Sequence, residues 1–486
     1  MKTIKYICLL ALAVGFTACN DEEDFIENQN EDVNRPALTA GSADFSNYVA
    51  VGASFTAGFT DNALFKASQE NSFPNSIAKQ FAKIGGGAFV QPLTNDNFGG
   101  LAANGSRITQ PRFVFGGAGP VPLESVIGPV TVSTDIVLNN PTGPFNNLGV
   151  PGAKSFHMIA PGYGNIMNFP SAANPYAVRL TGSTPDASML ELAIVPQTPT
   201  FFTLSEVGGN DVLGYATTGG DGSNPITPQA NFDFALTTLV NGLVGTGAKG
   251  AIGNLPNITS LSFFTTVAYN PVPLDAATAS QLNQGYAMYN GGIQTALGLG
   301  AINQTEADRR TIVFSAIPNN ALVIIDETLT DLSAFGIPSY RQAEPTDLIL
   351  LTAASQIPNG LGTQTQMGDN FVLLPSEQQE IADATAAYNA SIAAIANANG
   401  LALVDLNSIL NQATMGIEFD EFNLNTNLAT GGLVSLDGVH LTARGYALMA
   451  NAFLKAIDAT YGSNFEASGN LSKAGDFGVT YSPGLQ

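Results

Sequence analysis

Short apolar runs alternate with helical stretches along most of this chain, from about Ser46 onward. Runs rich in β-branched and aromatic residues predict strands at 48–51, 200–204, 249–255, 311–314 and 401–405. Other stretches predict helices at 232–243, 376–397 and 443–461, the second with Ser376 as its N-cap. Strands that alternate with helices form a mainly parallel sheet covered by helices, so the predicted fold class is an α/β, three-layer α/β/α sandwich.

Two connections between these elements are too long to be simple loops. Residues 59–145 and 257–370 are rich in Gly, Pro, Asn and Thr and show few clear elements. Structureless loops of that length are improbable inside a compact domain, so we expect insertions that carry small strands or helices around the rim of the site. The domain is predicted to span 41–461, and a polar tail at 462–486 is either loosely ordered or lies against it.

The N-terminus has the layout of a secretory signal. Lys2 and Lys5 precede an apolar stretch at 7–16 that is too short to span a bilayer, and small residues lead up to Cys19. The segment resembles a bacterial lipobox, which implies that 1–18 is a lipoprotein signal peptide and that Cys19 becomes the lipidated first residue. An ordinary signal peptide with an incidental cysteine is the alternative interpretation.

An acidic segment follows the cysteine. Residues 20–24 are Asn-Asp-Glu-Glu-Asp, and the polar stretch 19–40 lacks periodicity, which predicts a flexible linker. The acidic start resembles the export tag of Bacteroidota-type lipoproteins. This resemblance implies a cell-envelope protein that is lipid-anchored in the outer membrane and faces the periplasm or the cell surface.

Composition excludes several classes of function. The formal net charge of −22 argues against nucleic acid as a partner. Cys8 lies in the predicted leader and Cys19 at its end, so the domain has neither a disulfide nor a thiolate metal ligand. With only His157 and His440 in the whole chain, a histidine-rich metal centre is not expected. We predict no metal and no organic cofactor.

One of the two histidines stands in a turn with an aspartate. The segment Asp437-Gly438-Val439-His440 comes just before the predicted helix 443–461. An aspartate three residues before a histidine in a turn can orient the imidazole for proton transfer. The alternative is a surface turn that only caps the following helix. His157, in an apolar setting, is interpreted as a structural residue.

Two further segments follow predicted strands, and a third lies in a predicted loop. Ser54 follows strand 48–51 within Gly-Ala-Ser, at the sheet edge where α/β sites form, and is either a nucleophile or a helix cap. Asn210, in Gly-Gly-Asn-Asp after strand 200–204, either offers two amide donors to a ligand or belongs to a tight turn. Gly152 either presents its N–H to an oxyanion or is an ordinary loop glycine.

Together these segments resemble the blocks of the SGNH (GDSL-like) hydrolase family in residue identity and in chain order. Ser54 matches the nucleophile of the first block, Gly152 the glycine of the second, and Asn210 the asparagine of the Gly-x-Asn-Asp block. Asp437 and His440 match the Asp-x-x-His block near the C-terminus. The resemblance covers roughly 46–460 and is carried by the blocks alone.

The resemblance implies a lipolytic or other esterase activity that uses a catalytic triad. His440 would take the proton of Ser54, which attacks the ester carbonyl, and Asp437 would orient the imidazolium. The N–H groups of Ser54 and Gly152, with the Asn210 side chain, would form the oxyanion hole. The product of this step would be an acyl-Ser54 intermediate that water releases.

One position departs from the family. The family usually has Gly-Asp-Ser at the first block, whereas this chain has Ala53 in place of the aspartate. That aspartate is not the triad acid, so its loss is expected to weaken the order of the site without abolishing catalysis.

Three hypotheses about function follow. The lead hypothesis is a lipid-anchored serine ester hydrolase that acts on a lipid ester or an acylated glycan and is held on the membrane by lipidated Cys19. The alternative is a catalytically weak or inactive SGNH-fold lipoprotein that binds a lipid or glycan for an outer-membrane protein partner. A purely structural lipoprotein is a third, which would have no need of the Ser, Asn, Asp and His.

Overall fold

The computed structural model describes residues 35–486, and a five-stranded parallel sheet forms its centre. The strands are β1 Tyr48–Gly52, β2 Asn147–Gly149, β3 Phe201–Ser205, β4 Lys249–Gly253 and β5 Ala402–Val404. Their order across the sheet is β5-β4-β3-β1-β2, and every neighbouring pair is parallel. The α/β class predicted from the sequence is therefore confirmed.

The central strands are buried because their sequences are apolar along the whole strand. Every residue of β1 and β3 is buried, and Val49, Val51 and Phe202 are fully shielded from solvent. Such continuous apolar runs are typical of parallel strands. The chain passes from β1 to β2 on one side and returns to β3 on the other, so a crevice forms at the carboxyl ends of β1 and β3.

Helices surround the sheet in two groups of contacts. The helix Ala443–Tyr461 packs on β5 and on Phe73–Phe81, whereas Gln229–Val244 packs on Met189–Ile194 and Pro375–Asn399. The remaining α-helices are Ser54–Ala57, Lys66–Glu70, Glu124–Ile127, Pro175–Thr181, Gly209–Thr217, Ser262–Thr265, Ala276–Gly298, Gln304–Arg310 and Leu406–Ala413. Short 3-10 turns occur at Ala82–Ile84, Ser155–Ile159, Ile166–Asn168, Ile258–Ser260, Ser333–Phe335, Leu351–Ala353, Ile357–Asn359, Asp369–Phe371 and Ala474–Asp476.

Small antiparallel strand pairs lie outside the central sheet, the first three of them within the long connections 59–145 and 257–370. They are Ala102–Ala103 with Ser106–Arg107, Phe113–Phe115 with Pro120–Pro122, Val323–Ile325 with Tyr340–Gln342, Leu348–Ile349 with Val372–Leu373, and Ile417–Phe419 with Phe422–Leu424. In the second connection, the buried Arg341 guanidinium bridges the carboxylates of Asp326 and Asp347. This buried ion group ties the pieces of the connection together.

Two local predictions were wrong. Residues 311–314 do not form a strand, because Ile312 and Phe314 exchange backbone hydrogen bonds with the side chains of Asn290 and Asn283 on a helix instead of with another strand. Ser376 is not an N-cap, because the helix already begins at Pro375 and Leu374 occupies the cap position.

The ends of the chain differ in what can be described. The predicted leader and the predicted lipidation site Cys19 lie outside the described residues. The C-terminal segment lies against the domain: Phe465 is fully buried, and the Arg112 guanidinium donates to the Ser482 carbonyl oxygen at 2.7 Å. Over residues 35–486, every helix is too short or too polar to cross a membrane.

Candidate functional site

Ser54 is the first residue of the short helix Ser54–Ala57, which follows β1 after a tight turn. The turn requires a glycine at position 52, because a Cβ there would lie 2.5 Å from the Ser205 carbonyl oxygen of β3. Ser54 is only 5% exposed. The serine therefore stands at the strand-to-helix junction that the sequence predicts, in the crevice between β1 and β3.

The Ser54 hydroxyl has a carboxylate as its hydrogen-bond partner. It donates to Glu206 Oε1 at 3.2 Å, and the Thr56 N–H donates to Glu206 Oε2 at 3.0 Å. Partial burial raises the pKa of Glu206, and the N–H groups of Phe55 and Thr56 and the charge of His440 oppose that rise. The sequence assigned no role to Glu206, although a carboxylate directly after a central strand was a usable signal.

Asp437 and His440 are joined as their spacing predicts. His440 Nδ1 lies 2.9 Å from Asp437 Oδ2, and the same carboxylate accepts the backbone N–H groups of Asn62, Val439 and His440 at 2.8–2.9 Å. Burial by itself would raise the pKa of Asp437, but the charge of His440 and these hydrogen bonds hold it well below its usual range. Asp437 is thus an ionised, fully hydrogen-bonded partner of the imidazole.

His440 packs beside the residues that follow Ser54. Its ring centroid lies 5.6 Å from that of Phe55 and 4.6 Å from that of Phe59. No hydrogen bond joins His440 to Ser54 within the described part of the chain. Because Nδ1 is engaged with Asp437, Nε2 is the ring nitrogen left to act on the serine. Nucleophile and base are often poorly aligned before substrate binds, so the missing hydrogen bond does not by itself exclude His440 as the base.

The two predicted oxyanion donors beyond Ser54 lie in adjoining segments. Gly152 is exposed with a φ of +79°, and its N–H has no acceptor among residues 35–486. Asn210 Nδ2 donates to the Ala153 carbonyl oxygen at 2.9 Å, which fixes the amide beside the Gly152 loop. One amide hydrogen of Asn210 remains for a ligand, because the group carries two.

Asp211 holds these two segments together. Its buried carboxylate accepts the Ser155 N–H at 2.8 Å and the Ser155 hydroxyl at 2.6 Å. His157 has a local role in the same segment: its Nδ1 accepts the Lys154 N–H, and its ring stacks on Tyr163. Burial, with a smaller effect of the Lys154 charge, lowers the pKa of His157 to about 4, so it is neutral at neutral pH.

An apolar cavity of about 100 Å³ opens beside Ser54. A single water needs only about 10–15 Å³ by this measure, so the cavity has room for several atoms in a chain. Its polar lining residues are Ser54, Glu206, Asn210 and Asn254, and its walls are mostly aliphatic: Leu213, Leu255, Ile258, Leu261, Leu406, Ile409, Leu410, Leu433, Val439, Leu441, Leu448 and Met449. An apolar chain attached to a group at Ser54 would fit these walls chemically.

A second buried carboxyl group, Asp61, lies next to the Asp437–His440 pair. The Leu436 N–H donates to its Oδ1 at 3.1 Å, and its side chain is almost completely shielded from solvent. Burial, with a smaller effect of the Asp437 charge, raises the pKa of Asp61 to about 7, against the hydrogen bond from Leu436 and the charges of Arg112 and His440. Asp61 therefore titrates near neutral pH.

Replacing Asp61 by asparagine should stabilise the protein selectively at high pH. The folded carboxyl keeps its proton up to about pH 7, whereas the unfolded one loses it near its ordinary pKa of 3.8. The parent therefore loses stability as the pH rises between these values, and the variant does not. In urea unfolding, the difference in free energy of unfolding between Asp61→Asn and the parent should grow by about 1–4 kcal/mol in favour of the variant from pH 4 to pH 8. A difference that stays constant with pH would contradict this prediction. The control is the same substitution at an exposed position, Asp383→Asn.

Carboxylates also cluster away from Ser54. Among the described residues, Glu327, Asp369 and Glu377 place oxygen atoms within 4.8 Å of one another. Burial raises the pKa of Asp369 to about 6 and that of Glu377 to about 8, which disfavours a fully ionised cluster at neutral pH. These acidic groups by themselves do not assign a metal.

The five residues that the sequence selected meet at one end of the sheet, from segments far apart in the chain. Ser54 follows β1, Asn210 is the second residue of the helix after β3, and Gly152 lies just beyond β2. Asp437 and His440 reach the same place through Asn62 and Phe55. No protein-family model and no curated protein sequence matches the chain.

Proposed function

We propose that this chain is a serine ester hydrolase of the SGNH type, built on a three-layer α/β/α sandwich. The observation that carries the proposal is the convergence of Ser54 and an Asp437-bound His440 at the carboxyl edge of a parallel sheet. The two groups of helices that pack around the sheet support the three-layer architecture. Four blocks in family order, with these side chains at one edge, favour hydrolysis over a purely structural role.

The proposed reaction is acyl transfer to water. His440 Nε2 takes the hydroxyl proton as Ser54 Oγ attacks the ester carbonyl, and the alcohol leaves with that proton. The N–H groups of Ser54 and Gly152 and the Asn210 amide stabilise the oxyanion, each such donor being worth about 10²–10³ in rate. Water, deprotonated by His440, then releases the acid from the acyl-Ser54 intermediate.

We propose an ester with an apolar acyl chain as the substrate class. Ser54 and Asn210, where the acyl carbonyl would sit, both line the aliphatic cavity. Burial of each methylene there is worth about 0.8 kcal/mol. This supports a lipid ester over an acetylated glycan, whose acetyl group would leave the cavity unused. Anchoring of the enzyme in the outer membrane through lipidated Cys19 is part of the same proposal and would place it near lipids.

A second candidate function is binding of an apolar chain in the cavity without hydrolysis. The Ser54 hydroxyl is bonded to Glu206 and not to His440, and Ala53 replaces the family's aspartate. A binding lipoprotein that holds an apolar chain for an outer-membrane protein partner would have these features. It predicts an unreactive serine.

Labelling with a fluorophosphonate probe should separate the two candidates. The soluble protein that begins after Cys19 is expected to react with the probe, and Ser54→Ala should abolish the signal because the probe attaches only to an activated serine. The matched control is Ser205→Ala, another buried serine at the end of a central strand, which should keep the label. Gel fluorescence and intact mass measure the outcome. A folded parent that takes up no probe would overturn the hydrolase proposal and favour the binding lipoprotein.

A further inference from the structure

We infer that Glu206 orders the nucleophile turn from a neighbouring strand, doing there what an aspartate at position 53 would do from within the turn. The inference rests on the proposed hydrolase function for its catalytic consequence. Glu206 is assigned as a positioning residue, because it acts on the reaction through Ser54 and the helix that Ser54 begins.

The residue at the N-cap position, Ala53, cannot cap the helix that begins at Ser54. The helix Ser54–Ala57 starts after Ala53, and a methyl side chain cannot accept a hydrogen bond. Helix N-caps favour Asp, Asn, Ser and Thr, because their oxygen accepts the N–H of the second or third helical residue. Thr56 is the third residue of this helix, and its N–H donates to Glu206 Oε2 at 3.0 Å. The capping bond is therefore present, but it comes from the residue after β3.

The placement of this carboxylate is costly, which indicates that it has a use. Glu206 adopts a φ of 60°, a region that non-glycine residues rarely occupy and that is concentrated at functional sites. The side chain is partly buried and lines an apolar cavity. Among residues 35–486, no lysine or arginine forms a salt bridge with it, so its bonds to Ser54 and Thr56 are its main compensation.

The two bonds fix the nucleophile from both sides. Oε1 accepts the Ser54 hydroxyl at 3.2 Å while Oε2 holds the Thr56 N–H, so a single carboxylate sets the serine rotamer and the helix start. When the Ser54 hydroxyl turns to His440, the Thr56 bond can remain and keep the turn in place. Loss of such positioning commonly costs up to about 10² in rate.

The test is a cycle of variants at positions 53 and 206, assayed on a p-nitrophenyl ester. Glu206→Ala should lower kcat by about 10–100-fold and change KM by a smaller factor, because Glu206 lines the cavity but its hydrogen bonds are to Ser54 and Thr56. Glu206→Gln keeps an acceptor for Thr56 and should lose less. Ala53→Asp alone should also lower kcat, since two carboxylates would compete for the same N–H groups. The double variant Ala53→Asp with Glu206→Ala should recover most of the parent kcat.

A control separates positioning from general capping. Glu191 caps the helix Met189–Ile194 by accepting the Ser188 N–H, and it does not contact Ser54. Glu191→Ala should therefore leave kcat unchanged. Two results would overturn the inference: a Glu206→Ala variant as active as the parent, or a folded double variant no more active than Glu206→Ala.

Failure of the proposed function would be recognised separately. If the parent neither takes up the fluorophosphonate nor hydrolyses any ester, kcat can no longer be compared, but the capping role of Glu206 can still be tested. The thermal midpoint then decides the inference: Glu206→Ala should lower it by about 1–3 °C, and the double variant should restore it. A midpoint that stays lowered in the double variant would overturn the capping role.

Discussion

Replacing His440 by alanine is expected to lower the rate of ester hydrolysis by about 10²–10⁴-fold, because the variant lacks a general base at the serine. The imidazole is prepared for that role: Asp437 engages Nδ1 at 2.9 Å and leaves Nε2 free. The loss should appear in kcat at saturating p-nitrophenyl ester, with KM changed much less, since His440 is outside the cavity lining. Fluorophosphonate labelling should slow in parallel.

The chain offers a matched control for this experiment. His157 is the only other histidine, and its ring caps a local turn and stacks on Tyr163. His157→Ala should therefore keep nearly the parent kcat, even if its thermal midpoint falls. Equal activity of His440→Ala and the parent would show that Ser54 does not use His440, and the mechanism would have to be abandoned.

Local patterns predicted most of the central sheet because four of its five strands lie in apolar stretches of the sequence. β1, β3, β4 and β5 all lie within one residue or two of the predicted segments, and the helix Ala443–Tyr461 matches in both bounds. β2 was missed because Asn147 and Gly149 interrupt its apolar pattern, whereas β5, also three residues long, lies in the apolar run 401–404. Its place in the sheet depends on pairing with β1 and on the Asn147 side chain, which donates to the Thr56 carbonyl oxygen.

The site likewise contains one contact that a local pattern predicts and one that depends on strand pairing. Asp437 and His440 are three residues apart, so their contact follows from a local turn that the sequence displays. Ser54 and Glu206 are 152 residues apart, and only the adjacency of β1 and β3 brings them together. Sequence spacing cannot show a contact of that kind without the strand order.

The cavity was also beyond the reach of sequence reasoning. Its lining comes from segments spread between Ser54 and Met449, and each aliphatic residue on its own is indistinguishable from ordinary core. The wall becomes significant because Ser54 and Asn210 line the same space as these aliphatic residues. An apolar cavity that also contacts a candidate nucleophile can hold the apolar part of a substrate.

Filling this cavity is expected to abolish a preference for long acyl chains. For the parent, burial of the four extra methylenes of octanoate relative to butyrate should contribute about 3 kcal/mol of binding free energy in the transition state. This should raise kcat/KM by about 10²-fold. Leu213 lines the cavity one helical turn after Asn210, so Leu213→Trp should block the chain and bring that ratio close to one. The butyrate ester should still be hydrolysed, because the carbonyl site is unchanged. The two p-nitrophenyl esters measure the ratio directly.

Leu192→Trp is the control, because Leu192 is also partly buried on a short helix against the core but lies outside the cavity lining. Overpacking costs about 1–3 kcal/mol of stability at either position, so thermal midpoints should fall in both variants. Only Leu213→Trp should change the ratio of the two esters. A parent without any chain-length preference would remove the cavity from the substrate argument and favour a short acyl group, such as an acetyl group on a glycan. A parent preference that survives Leu213→Trp would place the chain outside this cavity, since the tryptophan would occupy its space.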